Sequence, residues 1–239
     1  MTEHVIALPY WCTKEVDNFL QVLSRWSDFC SDRVPYRFLL AKRFDTPTDR
    51  RLFDACSQLA PTEELDCVKY QWKGWPGGAN GMFRNTMAFA AERYSTRPGF
   101  VFWFEHDVIP IQRDWLYWLD QNWSERFTIL GHFVPQNWID NHHVEKHYRP
   151  YFSGSACYHK QLAYSPAFSA VTEKGCFDVR LTYETMRVQN ITKKMWHLFD
   201  IYFFMPQWAN RCDLTKLMLN GAKDHKQRQV LIDYILENR

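Results

Sequence analysis

The sequence predicts an α/β domain on a largely parallel sheet. Through the first half of the chain, apolar β-rich runs alternate with stretches of helical spacing, an opening of the βαβαβ kind. The run Phe100-Val-Phe-Trp-Phe104 is apolar without interruption, as a strand covered on both faces must be. An acidic triplet, Glu105-His106-Asp107, follows it directly, at the strand end where open α/β sheets bind ligands.

Val5 to Pro9 reads as the first buried strand, ending in an aromatic loop at Tyr10 and Trp11. Residues 14 to 30 place Val16, Phe19, Leu20, Leu23 and Trp26 at three- and four-residue spacing, which predicts an amphipathic helix. Tyr36 to Ala41 is the second strand, 48 to 59 the second helix and Cys67 to Trp72 the third strand. Turn residues concentrate over Lys73 to Gly81, and Phe83, Met87, Ala90 and Ala91 then give Met82 to Tyr94 the spacing of a helix. After the central strand and the triplet come Val108 to Ile111 and a helix carrying Trp115, Leu116, Trp118 and Leu119. The remainder reads as a strand at Phe127 to Leu130, a polar loop over 135 to 150, a strand at Tyr151 to Tyr158 and a helix over 179 to 190. No repeat or linker divides the 239 residues, so one domain is expected.

Composition narrows the class. Apolar residues at 46% and charged residues at 23% exclude a disordered or fibrous chain. The seven cysteines are odd in number, scattered and without a Cys-x-x-Cys pair, which argues against a disulfide framework and a structural zinc site. No stretch approaches the roughly 18 to 20 apolar residues of a spanning helix, and the start lacks a secretory pattern, so the chain reads as cytoplasmic and without a membrane partner. A net charge of +2 gives no bulk attraction to nucleic acid. Aromatics are the outlying class, 11 Trp, 12 Tyr and 18 Phe, more than a core of ordinary aliphatic packing requires. Tyr10, Trp11, Trp75, Trp138, Tyr148 and Tyr151 fall in predicted loops or at strand ends on the ligand side.

Glu105 and Asp107 are two residues apart. In extended backbone such side chains point the same way, so both carboxylates can converge on one divalent cation, with substrate phosphate filling the remaining positions. The bland alternative is a strand that simply becomes polar where it ends.

An apolar strand followed by acid-x-acid, Val-Ile-Pro and a Trp-rich helix resembles the Asp-x-Asp-like signature of glycosyltransferases of the GT-A fold. A Gly-Trp-Pro segment at residue 74 and a late Gly221-Ala-Lys-Asp224 make the chain similar to the small soluble members found in bacteriophage and bacterial genomes. The resemblance implies a Rossmann-like mixed sheet flanked by helices, with residues 1–111 as the nucleotide-sugar-binding half and 112–239 as the acceptor-binding half. It implies a sugar donor activated as a nucleotide diphosphate, a UDP-sugar first, and a manganese or magnesium ion bridging the diphosphate. Asp107 would be the direct metal ligand, and Glu105 would contact ribose or reach the metal through water. Pro9, Tyr10 and Trp11 would lie beside the base, and Asn80, Arg84 and Asn85 would face the donor. Lys223 would neutralise the leaving diphosphate. Asn220 stands where the family has a histidine metal ligand, so His225, His197 or water would complete the shell. His132 and the run Ser153, Gly154, Ser155 would frame the acceptor, and Asp178 is the candidate general base, with a helix N-cap as its alternative role. The basic, aromatic stretch 142–160 and a second basic run at Lys223, Lys226 and Arg228 suit a groove contacting nucleic-acid phosphates. Members of this kind resemble enzymes that glycosylate hydroxymethylpyrimidines in phage DNA. A carbohydrate is the competing acceptor, and a non-catalytic sugar- or nucleic-acid-binding module is the alternative to an enzyme.

Overall fold

The computed structural model describes residues 2–68, 76–134, 151–184, 188–197 and 206–239. Strand β1 (His4–Tyr10) pairs in parallel with β2 (Tyr36–Arg43) on one side and β4 (Phe100–Trp103) on the other, and β2 pairs in parallel with β3 (Thr62–Cys67). Beyond β4 the sheet turns antiparallel through β9 (Cys157–His159) and continues with β6 (Ile129–Gly131) and β10 (Val188–Asn190). The order across the seven strands is β10-β6-β9-β4-β1-β2-β3.

Each face of this sheet carries its own hydrophobic cluster. One lies beneath α1 (Thr13–Leu23), α2 (Trp26–Phe29), α3 (Arg50–Ser57), α5 (Trp115–Asn122) and the C-terminal α7 (His225–Asn238). The other lies beneath α4 (Gly77–Tyr94), the short turns at Leu162–Tyr164 and Pro166–Ala170, and α6 (Phe177–Glu184). The period of two in β1 sends Ile6, Leu8 and Tyr10 to the first cluster, and Val5 and Ala7 to the second.

Two small sheets complete the site. In one, β12 (Met218–Asn220) pairs antiparallel with β5 (Ile109–Pro110) and parallel with β11 (Met195–His197). In the other, β7 (Phe133–Val134) pairs antiparallel with β8 (Tyr151–Phe152). The first carries Asn220 and the following loop to the end of the central strand, where the Ala222 amide donates to the Asp107 carbonyl at 3.1 Å.

Several boundaries differ from the sequence reading for physical reasons. The third strand is the polar run Thr62-Glu-Glu-Leu-Asp-Cys67; as an edge strand it has one partner and a half-exposed surface, so it needs no apolar run. Of the stretch expected there, Lys69 to Trp72 lies outside the described residues, as do Trp75 and the loop 135–150 with Trp138, Tyr148 and its histidines. The helix expected over 14 to 30 breaks at Ser24 and Arg25 into α1 and α2. The strand expected over 151 to 158 is two short strands separated by Ser153 to Ala156, and the helix expected over 179 to 190 runs from Phe177 to Glu184 and gives way to β10. The central strand ends at Trp103, and residues 105–108 form a turn closed by the Val108 amide on the Glu105 carbonyl at 3.0 Å, rather than extended backbone. Helix α7 was not predicted; Asp224 caps it, accepting from the amides of Lys226 and Gln227. No disulfide joins any of the seven cysteines, six of which are buried, and no helix among the described residues is long and apolar enough to cross a membrane.

Candidate active site

At the carboxyl ends of β1 and β4 lies a cavity of about 440 Å³. Pro9 and Trp11 enter it from β1, Trp103 and the triplet from β4, Ser153 and Gly154 from the break between β8 and β9, and Cys176 to Val179 from the start of α6. Asn220 and Lys223 come from β12 and the loop after it, and Val134 and Tyr151, paired across β7 and β8, lie at its edge. Although 105–108 is a turn, Glu105 and Asp107 both line this one space.

Asp107 is only 5% exposed, and its Oδ1 is buried without a hydrogen-bond partner among the described residues. Its Oδ2 lies 4.0 Å from the Lys223 ammonium, which is 65% exposed at the cavity mouth. A contact at that distance, with one partner mostly exposed, contributes little to folding. Gly221 gives the loop its turn with a φ of 99°, a conformation that favours glycine. Glu105 accepts from the Ser155 hydroxyl at 2.7 Å, and burial together with the Asp107 charge pushes its carboxyl up to about 8. Gly154 passes so close to Glu105 that a Cβ there would stand 3.0 Å from its Oε1 and 3.2 Å from the Phe177 ring.

Asp178 sits in the first turn of α6, where its Oδ1 accepts from the Val179 amide at 2.8 Å. Burial raises its carboxyl to about 6, against backbone donors that include Gly154. A carboxyl in that range is ionised at neutral pH and basic enough to accept a proton. Its placement depends on Asn80, whose side chain donates to the carbonyls of Thr172 and Gly175 and accepts from the Phe177 amide at 2.9 Å. Phe177 is in turn stacked on Phe83 at 4.0 Å.

The structure thus brings Pro9, Trp11, Glu105, Asp107, Ser153, Gly154, Asp178 and Lys223 into one cavity. The other residues expected there do not line it. Tyr10 is fully buried in the sheet core, because it shares the face of Ile6 and Leu8 while Pro9 faces the cavity. Arg84 donates to the carbonyls of Phe168 and Val171 and covers the Phe168 ring, and Asn85 bonds the backbone at Val68 and Gly81. Arg84 and Asn80 thus brace the wall that carries Asp178, whereas Asn85 ties α4 to the end of β3. Ser155 lies behind Glu105, and His132 is buried, its ring held down to about 4 by that burial, with its carbonyl accepting from the Ser153 amide. His225 contacts Asn18 and Gln21 at the start of α7, outside the cavity. Arg228 is not part of a basic surface run, for it is fully buried.

Sequence reasoning missed Phe177, Cys176 and Val179 as lining residues, although they flank Asp178, and it missed the Asn220 side chain, which donates to the Ser153 hydroxyl at 3.0 Å. Asn220 occupies the place expected of a histidine and ties the two walls together. Among the described residues no three His, Cys, Asp or Glu side chains converge to hold a metal. The unpartnered, buried Asp107 Oδ1 nevertheless fits a cation whose other ligands come from a bound substrate and water.

A mixed sheet with β1 and β4 opening on this cavity, flanked by helices in a single domain, is the GT-A glycosyltransferase fold. Among solved structures, the chain is similar to the bifunctional glycosyltransferase WbbM (TM-score 0.59, 8% identity, covering 98% of this chain and 50% of that one). It is similar to the galactosyltransferase LgtC, solved with donor and acceptor sugar analogs (TM-score 0.58, 8% identity, 97% of this chain and 95% of that one). A third is mouse xyloside xylosyltransferase 1 (TM-score 0.56, 9% identity, 92% and 98%). The chain spans half the length of WbbM and nearly all of the other two. No protein-family model matches the sequence, and no curated protein is similar to it at the sequence level.

Proposed function

We propose that the chain is a glycosyltransferase that moves a sugar from a nucleotide diphosphate donor, a UDP-sugar first, to a hydroxyl of a saccharide. The observation that carries this reading is the single cavity on a GT-A fold that places Asp107 and Lys223 at one wall and Asp178 at another. The donor diphosphate binds at the Asp107–Lys223 wall, with Pro9 and Trp11 alongside the nucleoside. Asp107, with Glu105 beside it, would hold a manganese or magnesium ion, which supplies neutralising charge for the diphosphate. Lys223 stabilises the negative charge that grows on the leaving phosphate oxygen. Asp178 takes the proton of the acceptor hydroxyl as its oxygen bonds to the anomeric carbon and the carbon–phosphate-oxygen bond breaks. The products are a glycoside and a nucleoside diphosphate.

Tyr151, half-buried at the cavity edge, gives the acceptor side an aromatic surface suited to a ring face. The saccharide is favoured over a hydroxymethylpyrimidine in DNA because LgtC was solved with an acceptor sugar analog and the mouse enzyme acts on xylosides. The second basic run proposed for DNA also loses Arg228 to the interior. The test is incubation with a donor panel, with oligosaccharides in one arm and hydroxymethylated DNA in the other, followed by mass analysis. A hexose or pentose mass added to a saccharide supports the reading. Addition to DNA alone moves the acceptor, and no addition in either arm, with no donor-dependent thermal stabilisation, contradicts the enzyme reading.

A further inference from the structure

Arg228 is the largest charged side chain that the fold buries completely, and no carboxylate pairs with it among the described residues. From the first turns of α7 its Nη1 donates to the Ala222 carbonyl at 3.2 Å, and its Nη2 donates to the carbonyls of Asn18 at 3.0 Å and Val108 at 3.2 Å. Its Nε has no hydrogen-bond partner among the described residues. A guanidinium buried on neutral carbonyls alone is an expensive way to join three segments, since charge desolvation is only partly offset there.

The location of those carbonyls gives the arrangement a purpose. Val108 follows Asp107 directly, and Ala222 precedes Lys223. The Ala222 amide donates to the Asp107 carbonyl at 3.1 Å, and the Asn18 side chain donates to the Lys223 carbonyl at 3.4 Å. The two residues of the donor wall therefore sit on segments fastened to one buried cation, whose charge acts on Asp107. We propose that Arg228 is a positioning residue for diphosphate recognition: it sets the spacing of Asp107 and Lys223 and keeps a permanent positive charge behind them. This rests on the proposed function, and it assigns the diphosphate increment of donor affinity to a residue that never touches the donor.

The test compares UDP with uridine on the full chain in the presence of manganese, by calorimetry for UDP and saturation-transfer NMR for uridine. Arg228→Met, checked for native near-ultraviolet dichroism, is expected to lose at least tenfold in UDP affinity while uridine binding stays within twofold. Arg228→Lys keeps the charge but not the three-way fork, and is expected to lose about threefold for UDP alone. A folded Arg228→Met variant that binds UDP within twofold of the natural chain overturns the proposal, as does an equal loss for both ligands, the sign of a merely structural role. Should Arg228→Met not fold, Arg228→Lys decides on the same criterion. If the natural chain binds no UDP or other nucleoside diphosphate, the functional reading fails first and the role of Arg228 falls with it.

Discussion

Replacing Gly154 by alanine adds one methyl group at a close-packed point of the cavity wall. The new Cβ would stand 3.0 Å from Glu105 Oε1, 3.4 Å from Glu105 Cδ and 3.2 Å from the tip of the Phe177 ring. Phe177 cannot retreat easily, because it stacks on Phe83 at 4.0 Å with an interplanar angle of 12°. Glu105 must therefore give, straining or breaking its 2.7 Å bond from Ser155. Overpacking by one methyl group costs about 1–3 kcal/mol, which for a chain of this length lowers Tm by roughly 2–12 °C. Displacing Glu105 within the cavity that it shares with Asp107 should lower donor affinity about tenfold while the fold survives. Gly78→Ala is the control: it lies in α4 with nothing within 4 Å of its added Cβ, and should stabilise by about 0.5–1 kcal/mol without touching activity. Differential scanning calorimetry and a donor titration on both variants measure this. A Gly154→Ala variant matching the natural chain in Tm and donor affinity would refute the close packing of Gly154 on Glu105.

Asp178→Asn should lower turnover by about 10²–10⁴ while leaving donor binding intact. In the natural chain the acid limb of turnover should rise as pH passes about 6, where Asp178 ionises, and this limb should vanish in the variant. Glu15 is a second buried carboxyl, accepting from the Trp11 amide at 2.8 Å, 3.6 Å from the His106 ring and raised by burial to about 7. A raised carboxyl contributes stability that is complete below its unfolded value of 4.5 and is lost as pH rises through about 7. Glu15→Gln should therefore match the natural chain near pH 4.5 and exceed it by about 3 kcal/mol at pH 8 in urea unfolding, and a variant less stable at pH 8 would contradict this.

The parallel half of the sheet was legible because β1, β4 and the Phe38–Ala41 core of β2 are buried on both faces and read as apolar runs. β3 was not, because an edge strand with one partner tolerates Glu63, Glu64 and Asp66. The site was legible where position follows from local chain geometry: Asp107 after the central strand, Asp178 at a helix start, Lys223 after a glycine turn. It was illegible where long polar side chains choose between ligand and scaffold. Arg84, Asn80 and Asn85 carry the right chemistry to meet a donor, but carbonyls in sequence-distant loops or in the nearby backbone claim them. Arg228 read as surface charge for the same reason, since its three acceptors come from three separate parts of the chain. Tyr10 was misplaced by one residue of strand period, the difference between the cavity and the core.

The central claim is that the Asp107–Lys223 wall activates a nucleotide sugar, and release of nucleoside diphosphate tests it most directly. The chain and Asp107→Asn are each incubated with a panel of nucleotide sugars and manganese, and the freed diphosphate is quantified by chromatography. The prediction is donor-selective release by the natural chain that falls at least a hundredfold in Asp107→Asn, with Tm changed by less than about 3 °C. Equal release by both proteins, or none from any donor, would contradict it.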